Sequence, residues 1–243
     1  MISRHLHFPD LLNARDLGGL PTRSGGVTNW RAFVRTDGLH KLNDAGRAAL
    51  HDYGVRMVID LRMPDEMTQL PNPLRDDPRV RFLNVSLLGQ HGDEVFERNK
   101  HLPPHADWAL VVLEEAKDKF RQVFTGIADA PEGAVLFHCY AGKDRTGLIA
   151  DLLLDLADVF DEHIVDDYDL SNLQLRHYID ALGSDIEDPE MRARVVDAWS
   201  VRPETAHVVL AHMRSKYGGT REYLLAIGVS ADEIDAVRRR LIS

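Results

Sequence analysis

The sequence predicts an α/β fold, a central sheet flanked by helices and followed by a helical C-terminal third. Three observations carry that prediction. Strand patterns alternate with helix patterns through the first two thirds of the 243 residues. Ala134 to His138 is a short, nearly all-apolar run, the composition of a strand covered on both faces. From about residue 161 onward, helix patterns follow one another with no strand between them.

Arg31 to Thr36 reads as a strand, with Ala32 and Val34 alternating against Phe33 and Arg35. Leu42 to Tyr53 reads as a short helix stopped by Gly54. Val55, Met57 and Ile59 form the next strand, which ends at Asp60-Leu61-Arg62, and Val80 to Val85 forms another. Leu87 to Pro104 is polar and irregular, the pattern of a long loop or lid over a site. One long helix follows, with Asp107 as N-cap and an apolar face of Leu110, Leu113, Ala116, Phe120, Val123 and Ile127; Pro131-Glu132-Gly133 breaks it. After the Ala134 to His138 strand, Ile149, Leu152, Leu153 and Leu156 mark a helix. His163 to Leu182, Pro203 to Tyr217 and Thr220 to Ile227 read as helices, and Ser230-Ala231-Asp232-Glu233 is a capping box opening the last one. The length fits a single domain, with a core over residues 10–160 and a helical extension over 161–243.

The net charge of −10 disfavours nucleic acid and anionic membranes as partners, so an anionic ligand needs a local basic pocket. No apolar run approaches the ~20 residues that span a bilayer. The N-terminus has no apolar segment of the signal-peptide kind, so the expected location is cytoplasmic, or exported without a recognisable signal. Cys139 is the only cysteine, which rules out an intrachain disulfide and a cysteine-rich zinc site. His101 and His105 are separated by Pro103-Pro104, and His207 and His212 have a poor helical ligand spacing, so no metal or other cofactor is expected. Asp166-Asp167-x-Asp169 lacks the glycine and glutamate of a calcium loop and reads as a solvated helix face.

The segment His138-Cys139-Tyr140-Ala141-Gly142-Lys143-Asp144-Arg145-Thr146-Gly147 lies between a strand and a helix. A loop of that length can curl so that its backbone N–H groups meet at one centre, and the helix N-terminus adds unpaired N–H groups and a positive dipole end. Gly142 and Gly147 allow close backbone approach. Tyr140, Ala141, Gly142, Lys143 and Asp144 would then cradle a tetrahedral dianion, and the planar fork of Arg145 would hold two of its oxygens. The same positive field favours a thiolate at Cys139, poised for in-line attack on phosphorus, a phosphocysteine intermediate and hydrolysis. Thr146 is placed to donate to the sulfur, and His138 to orient the loop from below.

His-Cys-x-x-Gly-x-x-Arg-Thr-Gly resembles the signature of the cysteine-dependent protein tyrosine phosphatase superfamily. The fuller Ala-Gly-Lys-Asp-Arg-Thr-Gly resembles its bacterial branch of tyrosine and lipid phosphatases, that of the mycobacterial type B enzyme. Asn13-Ala14-Arg15-Asp16-Leu17-Gly18-Gly19, Phe33-Val34-Arg35-Thr36, Val58-Ile59-Asp60-Leu61-Arg62 with Glu66, Asp167-Tyr168-Asp169-Leu170-Ser171-Asn172 and Gly228-Val229-Ser230 extend the resemblance over nearly the whole chain. It implies a tyrosine-phosphatase-like sheet and a phosphorylated protein as substrate, with a phosphoinositide as the alternative.

The leaving group needs a proton, and the chain has no Trp-Pro-Asp tripeptide to supply it. The resemblance points to Asp144, beside Arg145, as general acid; Asp60, at a strand's C-terminal end, is the runner-up, and Asp93 in the lid is a further candidate. Lys143 reads either as a rim cation for a second phosphate or as a solvated lysine. Arg15, Asp16, Arg35 and Arg62 read either as lining the site or as ion-pairing residues beneath it, and Asn172 as a helix-surface residue. Two other functions compete. A sulfurtransferase loop lacks the Arg-Thr-Gly ending. A non-catalytic phosphate-binding module would have lost the cysteine or the arginine, and both are present.

Overall fold

The computed structural model describes residues 3–88 and 106–242. Of the predicted lid, Leu87 and Leu88 are buried, and the remainder, with Asp93 and His101, lies outside the described residues, as does His105. The sheet has five strands: β1 (Arg15–Asp16), β2 (Phe33–Thr36), β3 (Val55–Asp60), β4 (Arg81–Asn84) and β5 (Ala134–His138), in the order β1-β2-β5-β3-β4. Only β1 runs antiparallel; β2, β5, β3 and β4 are parallel. β5 therefore lies in the middle, and every one of its residues is buried. Its alternating side chains feed two cores. Val135 and Phe137 face a large cluster shared with Phe33, Met57 and Ile59, while Ala134 and Leu136 face a smaller one with Val34, Val55 and Val58.

Helix α1 (Asp44–Tyr53) is capped by the Asn43 side chain and ends at Gly54, whose φ of 104° suits glycine. Helix α2 (Pro64–Gln69), absent from the sequence prediction, is a short turn with proline in its first positions. The single helix predicted around residues 107–127 is two helices, α3 (Ala106–Glu115) and α4 (Lys117–Ala128), broken at Ala116. The two halves answer to different partners. Both enter the main core, the first through Trp108, Ala109, Val112 and Leu113 and the second through Phe120, Val123, Phe124 and Ile127. But the first packs on the helix of residues 204–212, where Glu114 bonds His212 and Tyr217, and the second on that of residues 231–241. Asp107 sits inside the first turn of α3 and is not its cap.

Helix α5 (Asp144–Leu156) follows β5 and is buried along most of its length. Helix α6 (Asp161–Ser184) is next, then α7 (Pro189–Trp199), which the sequence prediction did not contain. Helix α7 has no fully buried residue and so no apolar stripe to read. Its start was legible: Asp188 accepts from Glu190 N and Met191 N, and Pro189 follows it. Helix α8 (Glu204–His212) widens into a π turn at Met213–Tyr217, and α9 (Thr220–Ala226) and α10 (Ala231–Leu241) complete the chain. Ser230 and Glu233 form the expected capping box. Val209, Met213, Leu224, Ile234 and Val237 join the main core beside residues of β3 and β5. Among the described residues, no helix is long and apolar enough to cross a membrane.

Candidate active site

Thr36, His138, Asp60 and Asn84 lie in one row across the sheet, at the C-terminal ends of the parallel strands. Ligands of open α/β sheets gather there. The chain leaves β5 at His138, loops through residues 139–143, and enters α5 at Asp144. Gly142 takes a φ of +69°, and a Cβ there would lie 2.4 Å from the Thr36 carbonyl oxygen, so the loop is pressed onto the end of β2. Gly147 is packed as closely: a Cβ would lie 2.4 Å from the Tyr168 ring.

Every carbonyl from residue 139 to residue 143 accepts a hydrogen bond from the protein. His138 Nδ1 lies 2.9 Å from Cys139 O, and Gly38 N donates to Tyr140 O (2.8 Å). Asn13 Nδ2 donates to Ala141 O (3.0 Å) and to Gly142 O (3.1 Å). Arg35 Nη2 donates to Gly142 O (2.9 Å), and Gly147 N to Lys143 O (2.7 Å). In a planar trans peptide the C=O and the following N–H point in opposite directions. Tying down these carbonyls turns the N–H groups of residues 140–144 the other way, onto the concave side of the loop.

Cys139 is 3% exposed at the base of this loop. Arg145, in the first turn of α5, is gripped by Glu66 of α2 through two bonds, Nη1–Oε2 at 2.5 Å and Nη2–Oε1 at 2.8 Å. Burial works to raise the Glu66 carboxyl, and the Arg145 bonds overcome it and hold it below its ordinary value. Glu66 was visible in the sequence only as a neighbour of the Asp-Leu-Arg segment; its role depends on the unpredicted α2. Asp60 and Arg62 are fully buried and paired side on, with Nε 2.9 Å from Oδ1 and Nη2 2.7 Å from Oδ2. Asn72 adds a bond to Asp60 Oδ2 (3.0 Å) and lies 2.9 Å from His138 Nε2. Burial acts to raise Asp60, but His138 and Arg62 hold it far below the usual carboxylate range. The runner-up acid thus lies in a polar layer under the loop.

Asp167, expected on a solvated helix face, is 1% exposed, and that expectation is corrected. Arg35 Nη1 (2.8 Å), Arg15 Nε (3.2 Å) and Arg4 converge on it. Burial alone would raise its carboxyl; Arg15, Arg35 and Arg4 hold it well below its ordinary value. Ser171, one turn on, bonds Asn13 and Arg15, so α6 anchors the residues that hold the loop carbonyls. Asp16 lies apart from this group and accepts from Gly18 N (2.6 Å) and Arg31 N (2.9 Å).

Lys143 is not the solvated lysine of the sequence reading. It is 5% exposed, donates to Ala198 O (2.8 Å) and lies 5.9 Å from the Trp199 ring centre. Asp144 Oδ2 is 3.6 Å from its ammonium. The Thr146 hydroxyl is buried with no hydrogen-bond partner among the described residues, and so makes no bond to the Cys139 sulfur here. Asn172, read as a surface residue, bonds both Val201 N and Val201 O at 2.8 Å, joining α6 to the segment before α8.

The site thus brings together a buried cysteine, a loop with tied carbonyls, the head of a helix and an arginine gripped by a carboxylate. The sequence model described as the tyrosine phosphatase family matches residues 6–243. The chain belongs to that family and is a hydrolase. It is 40% identical to a tyrosine-protein phosphatase of Nostoc commune over 86% of this chain and 74% of that one. It is also 27% identical to the triple specificity protein phosphatase PtpB of Mycobacterium tuberculosis, over 97% of this chain and 98% of that one. A crystal structure of P. aeruginosa TpbA overlaps 74% of this chain and 87% of that one, at 16% identity and a TM-score of 0.32, too low to bear on the argument.

Proposed function

We propose that the chain is a protein tyrosine phosphatase acting through a phosphocysteine at Cys139. The observation that carries this reading is the full set of tied carbonyls from residue 139 to residue 143, which leaves a row of amides for a phosphoryl group directly beside the sulfur. The amides of residues 140–144 hold the non-bridging oxygens, and Arg145, oriented by Glu66, stabilises charge as the phosphoryl group transfers. The Cys139 thiolate attacks phosphorus and the P–O bond to the leaving group breaks. Asp144 delivers the proton to that oxygen. Water then attacks the phosphocysteine, the P–S bond breaks, and Asp144 takes the proton from the water.

The substrate is a phosphate monoester, and phosphotyrosine in protein is the first choice. The PtpB relative is named for triple specificity, which supports a breadth extending to phosphoserine and phosphothreonine. A phosphoinositide carries further phosphates that need cations at the rim, and Lys143, the cation nearest at hand in the loop, is committed to Ala198 O. That weighs against the lipid.

Hydrolysis of p-nitrophenyl phosphate without added metal tests the chemistry. Activity in the wild type, abolished in Cys139→Ser, is expected; an inactive wild type that still binds phosphate would make the chain a binding module. In Asp144→Asn, turnover of a phosphoserine peptide should fall far more than that of p-nitrophenyl phosphate. Equal losses on both would remove Asp144 as the acid.

A further inference from the structure

A cavity of about 240 Å³ opens beside the cradle. It is smaller than the ~300–1,000 Å³ of a small-molecule site, and suits one side chain rather than a whole metabolite. Tyr140, Tyr178 and Trp199 make an aromatic wall. Tyr178 and Trp199 meet edge to face at 5.2 Å, Tyr140 and Trp199 are tilted at 6.2 Å, and His40 stacks on Tyr140 at 6.0 Å. Leu175, Ala141, Asp10 and Asp37 also line it.

The walls are fastened to the cradle. Gly38 N donates to Tyr140 O (2.8 Å), and Asp37 Oδ1 accepts from Leu12 N (3.0 Å) and Asn13 N (2.9 Å). Both amides and the Thr36 hydroxyl bond to Oδ1, so Asp37 Oδ2 accepts none of them. His40 Nδ1 is buried with no hydrogen-bond partner. Of the charged groups at the cavity, Asp10 and Asp37 are acidic, and Lys41, exposed at the rim, is basic. Lys143 already lies over Trp199 from the loop side and His40 stacks on Tyr140, which leaves the ring of Tyr178 for a ligand.

We infer that this cavity is a specificity subsite for a lysine or arginine side chain flanking the phosphorylated residue of a peptide substrate. The carboxylates of Asp10 and Asp37, with Lys41 exposed at the rim, favour a cation, and the Tyr178 ring holds it by cation–π attraction while its methylene stem lies along Leu175 and Leu12. The subsite shares Tyr140 and Ala141 with the cradle, so a residue next to the phosphoester in sequence reaches it. The inference rests on the proposed phosphatase reading.

The test is a set of phosphotyrosine peptides carrying lysine, norleucine or glutamate at each flanking position in turn. At one position the lysine peptide should exceed its norleucine counterpart in kcat/KM by about tenfold, with glutamate lower still. Asp10→Ala and Tyr178→Leu, singly and together, should erase that preference and leave hydrolysis of p-nitrophenyl phosphate, which has no flanking residue, unchanged. Asp10 is exposed, so Asp10→Ala reports even if Tyr178→Leu folds poorly. Peptide affinity for Cys139→Ser reads the same preference without turnover. Equal treatment of all peptides by an enzyme active on p-nitrophenyl phosphate, a preference for norleucine or glutamate, or a lysine preference that survives both substitutions would overturn the subsite. A chain that binds basic phosphopeptides best and hydrolyses nothing would keep the subsite and remove the phosphatase reading.

Discussion

The guanidinium plane of Arg145, proposed to meet the phosphate, is fixed by the two oxygens of Glu66. Glu66→Gln keeps the shape and one acceptor but loses the charge-assisted pair. It should lower kcat/KM on p-nitrophenyl phosphate about tenfold or more, with little change in Tm. Arg145→Lys keeps the charge and loses the fork, and a loss of about 10²–10³ in kcat is expected, the cost of removing one transition-state donor. If the lysine variant kept wild-type turnover, the bidentate reading would fail. At this scale the sequence was legible where a residue's place is set by near neighbours in the chain, as for His138, Cys139 and Arg145 between β5 and α5. It was opaque where the partner is remote. Nothing local marks Asn13 as the donor to Ala141 O and Gly142 O, 128 and 129 positions away. Asp167 gave the wrong reading because a helical aspartate looks solvated until the arginines of other elements are placed around it.

Helices α5 and α6 hold two buried carboxyls with opposite habits. Asp167 on α6 is held well below the usual range by its arginines, so its contribution to stability is complete above its unfolded value of about 3.9 and is lost as pH falls through that value and below it. Asp167→Asn should cost about 3–5 kcal/mol in urea unfolding at neutral pH, since it leaves buried arginines without their counter-charge. Asp151 on α5 has both oxygens buried without a hydrogen-bond partner among the described residues, and burial pushes its carboxyl well above its ordinary value, with Arg35 opposing the rise and Asp167 adding to it. The native state therefore holds a proton that the unfolded chain gives up above about pH 4, so stability declines as pH rises from there. Asp151→Asn removes that slope; unfolding at a series of pH values should show the variant gaining on the wild type as pH increases. Elements with an apolar period or a capping signal were legible, β5, α1 and α10 among them. The break at Ala116 was not, because the apolar period runs on through it and both halves enter one core, while the different helices they pack on are set by long-range contacts.

The helical C-terminal third is welded to the sheet domain. Tyr223, Leu224, Ile234, Val237 and Leu241 are all buried in the same cluster as Ile59, Val135 and Phe137. At about 1.5–3 kcal/mol for each buried large side chain, those five are comparable to the whole ~5–15 kcal/mol that stabilises a typical domain. A chain ending at Gly218 should accordingly show no cooperative thermal transition, whereas the full chain should unfold in one. A truncated chain with a sharp transition of its own would show that the core stands alone. The class of the fold was readable from the order of strand and helix patterns. The order of strands in space was not, since placing β5 between β2 and β3 is a matter of long-range pairing.

The single thiol has a consequence for redox chemistry. Cys139 has no second cysteine in this chain to pair with. A sulfenic acid formed there has no internal thiol to condense with, and its reversible exits are a small-molecule thiol or a neighbouring backbone nitrogen. The burial that protects the sulfur also limits access for the thiol that would rescue it, so peroxide damage, once past that step, moves toward the irreversible acids. The mass of the oxidised chain reads this directly: each added oxygen belongs either to Cys139 or to a methionine, and the Cys139→Ser variant separates the two.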